Sequence, residues 1–292
     1  MIKGVCTALV TPFNEDGSVD YESYEKLVRN QIENNIDALV PLGTTAENPT
    51  LEPEEKRKLI RLTVELASGK IPVIAGCGSN STYHAIEATK EAKDLGASMS
   101  LQVCPYYNKP TPSGLYRHFI SIAEAVDLDM MIYNIPGRTG TNIPNNIIWD
   151  LAKHPRIIAL KEASGNIHQL LSLLNERPED FSVLSGDDFL TLPLITCGGQ
   201  GVVSVASNVF PSQIAGMVHL LLDGNIQEGS ALFFSLFPFF ENFFLETNPI
   251  PIKTYMASKG LLKEFFRLPL TPMKTETKEQ LLCTTMKQFN IN

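Results

Sequence analysis

The sequence predicts an α/β protein: a closed barrel of eight parallel strands alternating with helices, a (β/α)8 TIM barrel with a C-terminal helical extension. Three observations predict it. Eight short, nearly continuous apolar runs lie between residues 5 and 205, as expected of strands covered on both faces. Their starts recur roughly every 20 to 35 residues, room for a strand and a crossover helix, not the 8–12 of a sandwich. The first run leads into Thr11-Pro12-Phe13 and not into the GxGxxG turn of an open doubly wound sheet. A length of 292 residues suits one barrel of about 250 residues with an addition.

The strands are read at 5–10, 38–42, 72–76, 99–104, 130–134, 157–161, 182–185 and 201–205. Residues 21–34 read as a helix with Tyr24, Leu27, Val28 and Ile32 on one side. Residues 54–68 repeat the pattern with Leu59, Ile60, Leu62 and Leu66, as do 82–95 and 115–125. Pro53 suits a first helical turn, and Glu54 and Glu55 sit where the helix dipole is positive. Gly96 suits a helix stop. The eighth strand is followed by a helical pattern over 210–222.

Residues 1–224 are therefore assigned to the barrel and 225–292 to helices packed on it. The richest apolar stretch, 231–245, is interrupted by Pro238, Glu241 and Asn242 and is too short for a membrane span. It reads as helical surface buried within the protein or between subunits. Asn248-Pro249-Ile250-Pro251 reads as a sharp turn, because each proline restricts the residue before it.

A net charge of −8 argues against a nucleic-acid partner. The five cysteines are scattered, with no CxxC pair, which fits a reducing cytosol. The N-terminus lacks a signal-peptide core, so a soluble, cytoplasmic protein is expected. No HxH or HExxH occurs and none of the five histidines closes a strand, so no metal site is expected. Gly137-Arg138-Thr139-Gly140 completes no nucleotide motif, and Gly198-Gly199-Gln200-Gly201, before strand eight, reads as a turn.

Barrel active sites lie at the C-terminal ends of the strands. Strand six ends in Lys161, which shares a face with Ala159 while Leu160 and Glu162 share the other. If that face is the barrel interior, desolvation favours the free amine needed to attack a carbonyl. A solvated or carboxylate-paired lysine is the alternative. Tyr133, closing strand five, is a proton shuttle or a core tyrosine. Thr44 and Thr45, after strand two, bind a carboxylate and relay a proton, or only form a turn. Arg138 clamps a substrate carboxylate or makes a surface ion pair.

Read together, these pieces resemble the dihydrodipicolinate synthase family of pyruvate-dependent Schiff-base aldolases. The resemblance runs end to end, through Gly43-Thr44-Thr45-Ala46-Glu47, Val73-Ile74-Ala75-Gly76 and Pro105-Tyr106-Tyr107-Asn108. It continues through Tyr133-Asn134-Ile135-Pro136-Gly137-Arg138-Thr139-Gly140, Lys161-Glu162-Ala163-Ser164-Gly165, Ser185-Gly186-Asp187-Asp188 and Asn248-Pro249-Ile250-Pro251-Ile252-Lys253.

The resemblance implies condensation of pyruvate with L-aspartate 4-semialdehyde through an imine on Lys161, giving 4-hydroxy-tetrahydrodipicolinate in lysine and diaminopimelate biosynthesis. It implies a proton relay of Tyr133, Thr44 and a neighbouring subunit's Tyr107. It places Thr45 on the pyruvate carboxylate, Arg138 on the semialdehyde carboxylate, and Gly186 and Val203 on the pocket wall. It implies no cofactor, and a homotetramer built as a dimer of dimers. Arg138 separates this family from the related sialic-acid lyases and sugar-acid aldolases, which usually lack it; a catalytically silent barrel serving as a binding or regulatory subunit is the other alternative. Two departures stand out. Ala46 replaces a usual glycine. At the family's lysine-inhibition site, Asn80 and Tyr106 are kept, but His84 stands where a carboxylate is often found and Lys56 where histidine or glutamate is. Weak or absent feedback by lysine is expected.

Overall fold

In the computed structural model, residues 1–284 are described. The last eight residues of the predicted C-terminal region, 285–292, lie outside them. The apolar runs become β1 (Gly4–Ala8), β2 (Ala38–Val40), β3 (Ile74–Gly76), β4 (Met99–Val103), β5 (Asp129–Asn134), β6 (Ile157–Glu162), β7 (Ser182–Ser185) and β8 (Gly201–Ser204). All pair in parallel, in the order β2-β1-β8-β7-β6-β5-β4-β3. The ring closes between β2 and β3 through an isolated bridge, Leu39 to Val73. Two backbone hydrogen bonds support that seam, Leu39 N to Pro72 O and Gly76 N to Pro41 O, each 3.0 Å. The predicted TIM barrel is thus observed.

Strand ends differ from the sequence reading by one or two residues, with local causes. The first ladder stops at Ala8, not Val10, because the Val10 amide donates to Asn208 Oδ1 instead of a neighbouring strand. The sixth extends one residue further, to Glu162, whose partner in β5 is Asn134.

The helices are α1 (Tyr21–Glu33), α2 (Pro53–Ala67), α3 (Thr82–Asp94), α4 (Pro112–Ala125), α5 (Pro136–Thr139), α6 (Asn145–Ala152), α7 (Ile167–Asn175), α8 (Thr191–Thr196), α9 (Pro211–Leu222), α10 (Ile226–Asn242), α11 (Ile250–Ser258) and α12 (Thr275–Leu282). Pro53 opens α2, where a missing N–H leaves no bond unmade, and Glu52 and Glu55 cap it reciprocally. Gly96 follows α3 with φ +91°, a conformation that favours glycine. Helix α4 starts before the predicted 115, because Thr111 caps it and Pro112 fits its first position. The Gly198–Gly201 stretch is a turn, fastened by Gly198 N to Ile195 O and Gly199 N to Leu194 O.

Apolar burial forms two layers. A large one lies between strands and helices. A smaller one, inside the barrel, includes Cys6, Val40, Leu101, Met131, Ala159 and Val203. The stretch 231–245 largely falls in α10, which runs through Pro238. It buries Phe233, Leu236, Phe239 and Phe240 within the chain. Phe239 meets Phe210 at 4.7 Å between ring centroids and Tyr255 of α11 at 5.6 Å, which fixes the C-terminal helices to the barrel. Cys6, Cys77 and Cys104 are buried. No helix among the described residues is long and apolar enough to cross a membrane.

Candidate active site

The two-residue period of a strand decides which side chains of β6 enter the barrel. Ala159 joins the inner apolar cluster. Lys161, two residues on, has only 6% of its surface exposed. Its Nζ lies 4.1 Å from the centroid of the Tyr133 ring, the register partner of Lys161 on β5. Glu162 points the other way, where it accepts from Asn134 Nδ2 at 3.0 Å and Ser164 N at 2.7 Å. Those bonds tie the strand ends together and leave Glu162 a structural role.

Burial pushes the Lys161 amine down to about 8, opposed by Asp188 and assisted by Arg138. Asp188 acts from a distance, because its own carboxylate is engaged. It accepts from Ser204 Oγ at 2.6 Å and from the amides of Val205 and Ala206 at 3.0 and 3.1 Å. Burial raises Asp188 itself to about 6. The alternative of a solvated or directly paired Lys161 is therefore not what the structure shows. Gly186 makes room for the amine: a Cβ there would sit 2.8 Å from Lys161 Cε. Val203 is buried on the inner wall.

Tyr133 is buried, and burial pushes its phenol up to about 12, with Arg138 and a hydrogen bond to Thr44 acting the other way. Thr44 and Thr45 occupy one turn of 3-10 helix, residues Thr44–Ala46, which brings Thr44 to the phenol. Thr45 is buried, and its Oγ1 accepts from Asn248 Nδ2 at 2.9 Å. Ala46 is absent from the positive-φ residues, whereas Leu42 and Glu47 flanking the turn have φ +59° and +55°. The usual glycine is therefore not demanded by backbone conformation at position 46. Arg138, on α5, is anchored by its Nη2 on Asn248 O at 3.0 Å, not by a carboxylate.

A cavity of about 460 Å³ runs from Thr44, Tyr133 and Arg138 outward to Lys56, His84 and Tyr106. Thr44, Tyr133 and Arg138 of the predicted catalytic and binding set thus share one space with Lys56, His84 and Tyr106 of the predicted regulatory set, while Lys161, Thr45, Gly186 and Val203 are not among its lining residues. Glu91 also lines it, a carboxylate the sequence reading did not place there, but Arg57 Nε holds it at 2.5 Å. Burial lowers Lys56, with Glu52 and Glu91 opposing. Asn80 is outside the lining; its carbonyl accepts from Asn108 Nδ2 at 2.8 Å. Tyr107 is not brought to Tyr133 and Thr44 within this chain. It stands 88% exposed, with φ +75°, off the cavity wall.

Three residues beneath the site escaped assignment from sequence. Lys253 Nζ pairs with Glu47 Oε1 at 2.5 Å, both side chains buried. The Arg267 amide donates to Glu47 Oε2 at 3.2 Å, and its guanidinium pairs with Glu55. Glu47 and Lys253 end two of the quoted motifs, which was the available signal.

The family model for the dihydrodipicolinate synthetase family matches residues 1–288. The chain belongs to that family. A 4-hydroxy-tetrahydrodipicolinate synthase of Leptospira biflexa is 47% identical over 280 residues, covering 96% of this chain and 95% of its own. The structure of 4-hydroxy-tetrahydrodipicolinate synthase from Methylacidiphilum fumariolicum superposes with a TM-score of 0.94 at 44% identity, covering 97% of this chain and 94% of that one. A dihydrodipicolinate synthase of Acinetobacter baumannii, solved in complex with pyruvate, gives a TM-score of 0.95 at 40% identity and 97% coverage of each chain. Family membership agrees with the resemblance carried by the motifs.

Proposed function

We propose that this chain condenses pyruvate with L-aspartate 4-semialdehyde to 4-hydroxy-tetrahydrodipicolinate, a lyase step of lysine and diaminopimelate biosynthesis, through an imine on Lys161. The observation that carries the reading is a buried lysine amine lying 4.1 Å from the Tyr133 ring inside a barrel, where burial lowers it to about 8. At pH 7 roughly a tenth of such amines are unprotonated, against roughly one in three thousand at the ordinary value of 10.5.

The Lys161 amine adds to the pyruvate ketone, and water leaves as the imine forms. Loss of a methyl proton gives an enamine, with the cationic nitrogen taking the electron pair. The enamine carbon attacks the semialdehyde carbonyl, whose oxygen collects a proton and becomes the hydroxyl of the product. The amine of the bound semialdehyde then attacks the imine carbon, closes the ring and expels Lys161 as free amine. Tyr133 and Thr44 move the protons, Thr45 holds the pyruvate carboxylate, and Arg138 holds that of the semialdehyde. Gly186 and Val203 shape the wall.

Tyr107 completes the relay in a neighbouring copy, consistent with its exposure here. The assembly is a homotetramer, a dimer of dimers, and works in the cytoplasm. A fully active monomer in light scattering would contradict this part. Lys56, His84, Tyr106 and Asn80 are the regulatory positions, and the positive charge of Lys56 there disfavours the ammonium of lysine; half-inhibition at submillimolar lysine would overturn that.

The test is pyruvate consumption with aspartate 4-semialdehyde, N-acetylmannosamine and glyceraldehyde as competing acceptors, with borohydride trapping of the imine. Selective use of the semialdehyde and a pyruvate adduct on Lys161 are expected. Selective use of a sugar aldehyde would overturn the acceptor, and no adduct would overturn the chemistry.

A further inference from the structure

Asn248 occupies a position that none of the quoted motifs explains. It lies just before α11, in the C-terminal region, yet it is buried and touches both proposed carboxylate binders, Thr45 and Arg138. Its side-chain Nδ2 donates to Thr45 Oγ1 at 2.9 Å. Its main-chain oxygen accepts from Arg138 Nη2 at 3.0 Å. A threonine hydroxyl has one proton to give and lone pairs to receive. Because Asn248 supplies a donor, Thr45 must act as acceptor toward it, and the hydroxyl proton is left to point elsewhere.

We infer that Asn248 is a positioning residue that sets the direction of the Thr45 hydrogen bond, so that the hydroxyl presents its proton, and not a lone pair, to the keto-acid carboxylate. The inference rests on the proposed role of Thr45. A hydroxyl whose proton is committed to a protein acceptor would turn oxygen toward an anion and repel it. The Asn248 amide prevents this. The same residue fixes Arg138 through its main chain, so side-chain substitutions separate the two subsites: they disturb the pyruvate end and leave the Arg138 anchor in place.

Two substitutions make the direction of the bond visible. Asn248→Asp replaces the donor by an acceptor of nearly the same shape, so the Thr45 proton turns inward to the new carboxylate. Asn248→Ala removes the donor and leaves the hydroxyl free to rotate. The expected order of KM for pyruvate is Asp above Ala above the parent. Asn248→Asp raises it about tenfold or more, the scale of one hydrogen bond to a charged group, and Asn248→Ala about threefold, the lower end for a neutral one. KM for the semialdehyde should stay within about twofold, since the main-chain contact to Arg138 is retained. In a Thr45→Val background, which lacks the hydroxyl, either change at 248 should add nothing further to the pyruvate KM.

Steady-state kinetics of these variants, with melting curves to confirm folding, provide the test. If Asn248→Asp does not fold, the alanine variant alone and in the Thr45→Val background still decides. A pyruvate KM unchanged by substitution at 248, or equal rises in both KM values, would overturn the inference while leaving the activity standing. Failure of the parent protein to form a borohydride-trapped pyruvate adduct would overturn the proposed activity and this inference with it.

Discussion

Among the described residues two lysines are buried, and their surroundings are opposite. Lys253, on α11, has its Nζ 4.4 Å from the Phe13 ring centroid and 2.5 Å from a Glu47 oxygen. Lys161, on β6, lies over the Tyr133 ring at 4.1 Å, with Asp187 and Asp188 acting only from a distance. Burial lowers both amines to about 8, so what separates them is contact: the carboxylate of Glu47 touches Lys253, and no carboxylate touches Lys161. A buried amine held against a carboxylate is engaged by that contact and serves as a structural tie. One without a contact partner can give up its proton and become a nucleophile. Lys253 thereby holds Glu47, and with it the end of the turn that carries Thr44 and Thr45.

Removing each lysine should separate the two roles. The largest effect is expected from Lys161→Met. Pyruvate turnover should fall by at least roughly a thousandfold and the trapped adduct should vanish. Stability should not fall, because a desolvated ammonium is replaced by a side chain of similar size. Denaturant unfolding at pH 7 should show a variant as stable as the parent or more so, and a loss of several kcal/mol would break the comparison.

Lys253→Met should do the reverse. Deleting one partner strands the buried Glu47, at about 3–5 kcal/mol of stability. Adding Glu47→Gln should restore part of it, measured as a double-mutant cycle in urea. Imine formation at saturating pyruvate should survive in the fraction that folds. A Lys253 variant that is stable but unable to form the imine would show that the tie has a chemical role.

The third effect is on pH. The folded value of Lys161, about 8, lies below the ordinary 10.5. Between those values the unfolded chain holds the proton and the folded chain does not, so stability gains with rising pH across this window. The difference between parent and Lys161→Met should therefore shift in favour of the parent by about 3 kcal/mol from pH 8 to 10.5. Adduct formation should climb with pH and level off above about 8. A flat stability difference, with adduct formation still climbing well above pH 8, would show that Lys161 titrates like a surface lysine. The smallest effect is expected from Arg138→Ala, which should raise KM for the semialdehyde about tenfold while pyruvate trapping continues.

Much of this contrast could be read from the sequence on one side and little on the other. Lys161 was legible because it ends an apolar run and shares a face with Ala159, a local pattern that the strand period makes directional. The barrel followed from eight such runs. The short helices α5 to α8, four to nine residues each, were not singled out, because so few turns carry little periodicity. Lys253 and Asn248 were quoted within a motif but given no task. Their partners, Glu47 and Thr45, lie 206 and 203 residues away in sequence, a separation no local pattern bridges. Tyr107 is the converse case. Its motif named it, and the chain leaves it exposed and off the cavity wall.

The closure of the barrel between Leu39 and Val73 has a dynamic consequence. Neighbouring strands elsewhere share ladders of two to five paired positions, from two between β7 and β8 to five between β4 and β5, while this seam has one isolated bridge. Opening it breaks few hydrogen bonds, so amide protons of Leu39 and Gly76 should exchange with solvent ahead of those on β5 and β6. The turn bearing Thr44 and Thr45 begins just past β2, on one lip of the seam. A keto acid gripped there favours the closed ring over the open one. The protein should breathe more slowly along this line when pyruvate is bound, and the substrate becomes in effect the last stave of the barrel.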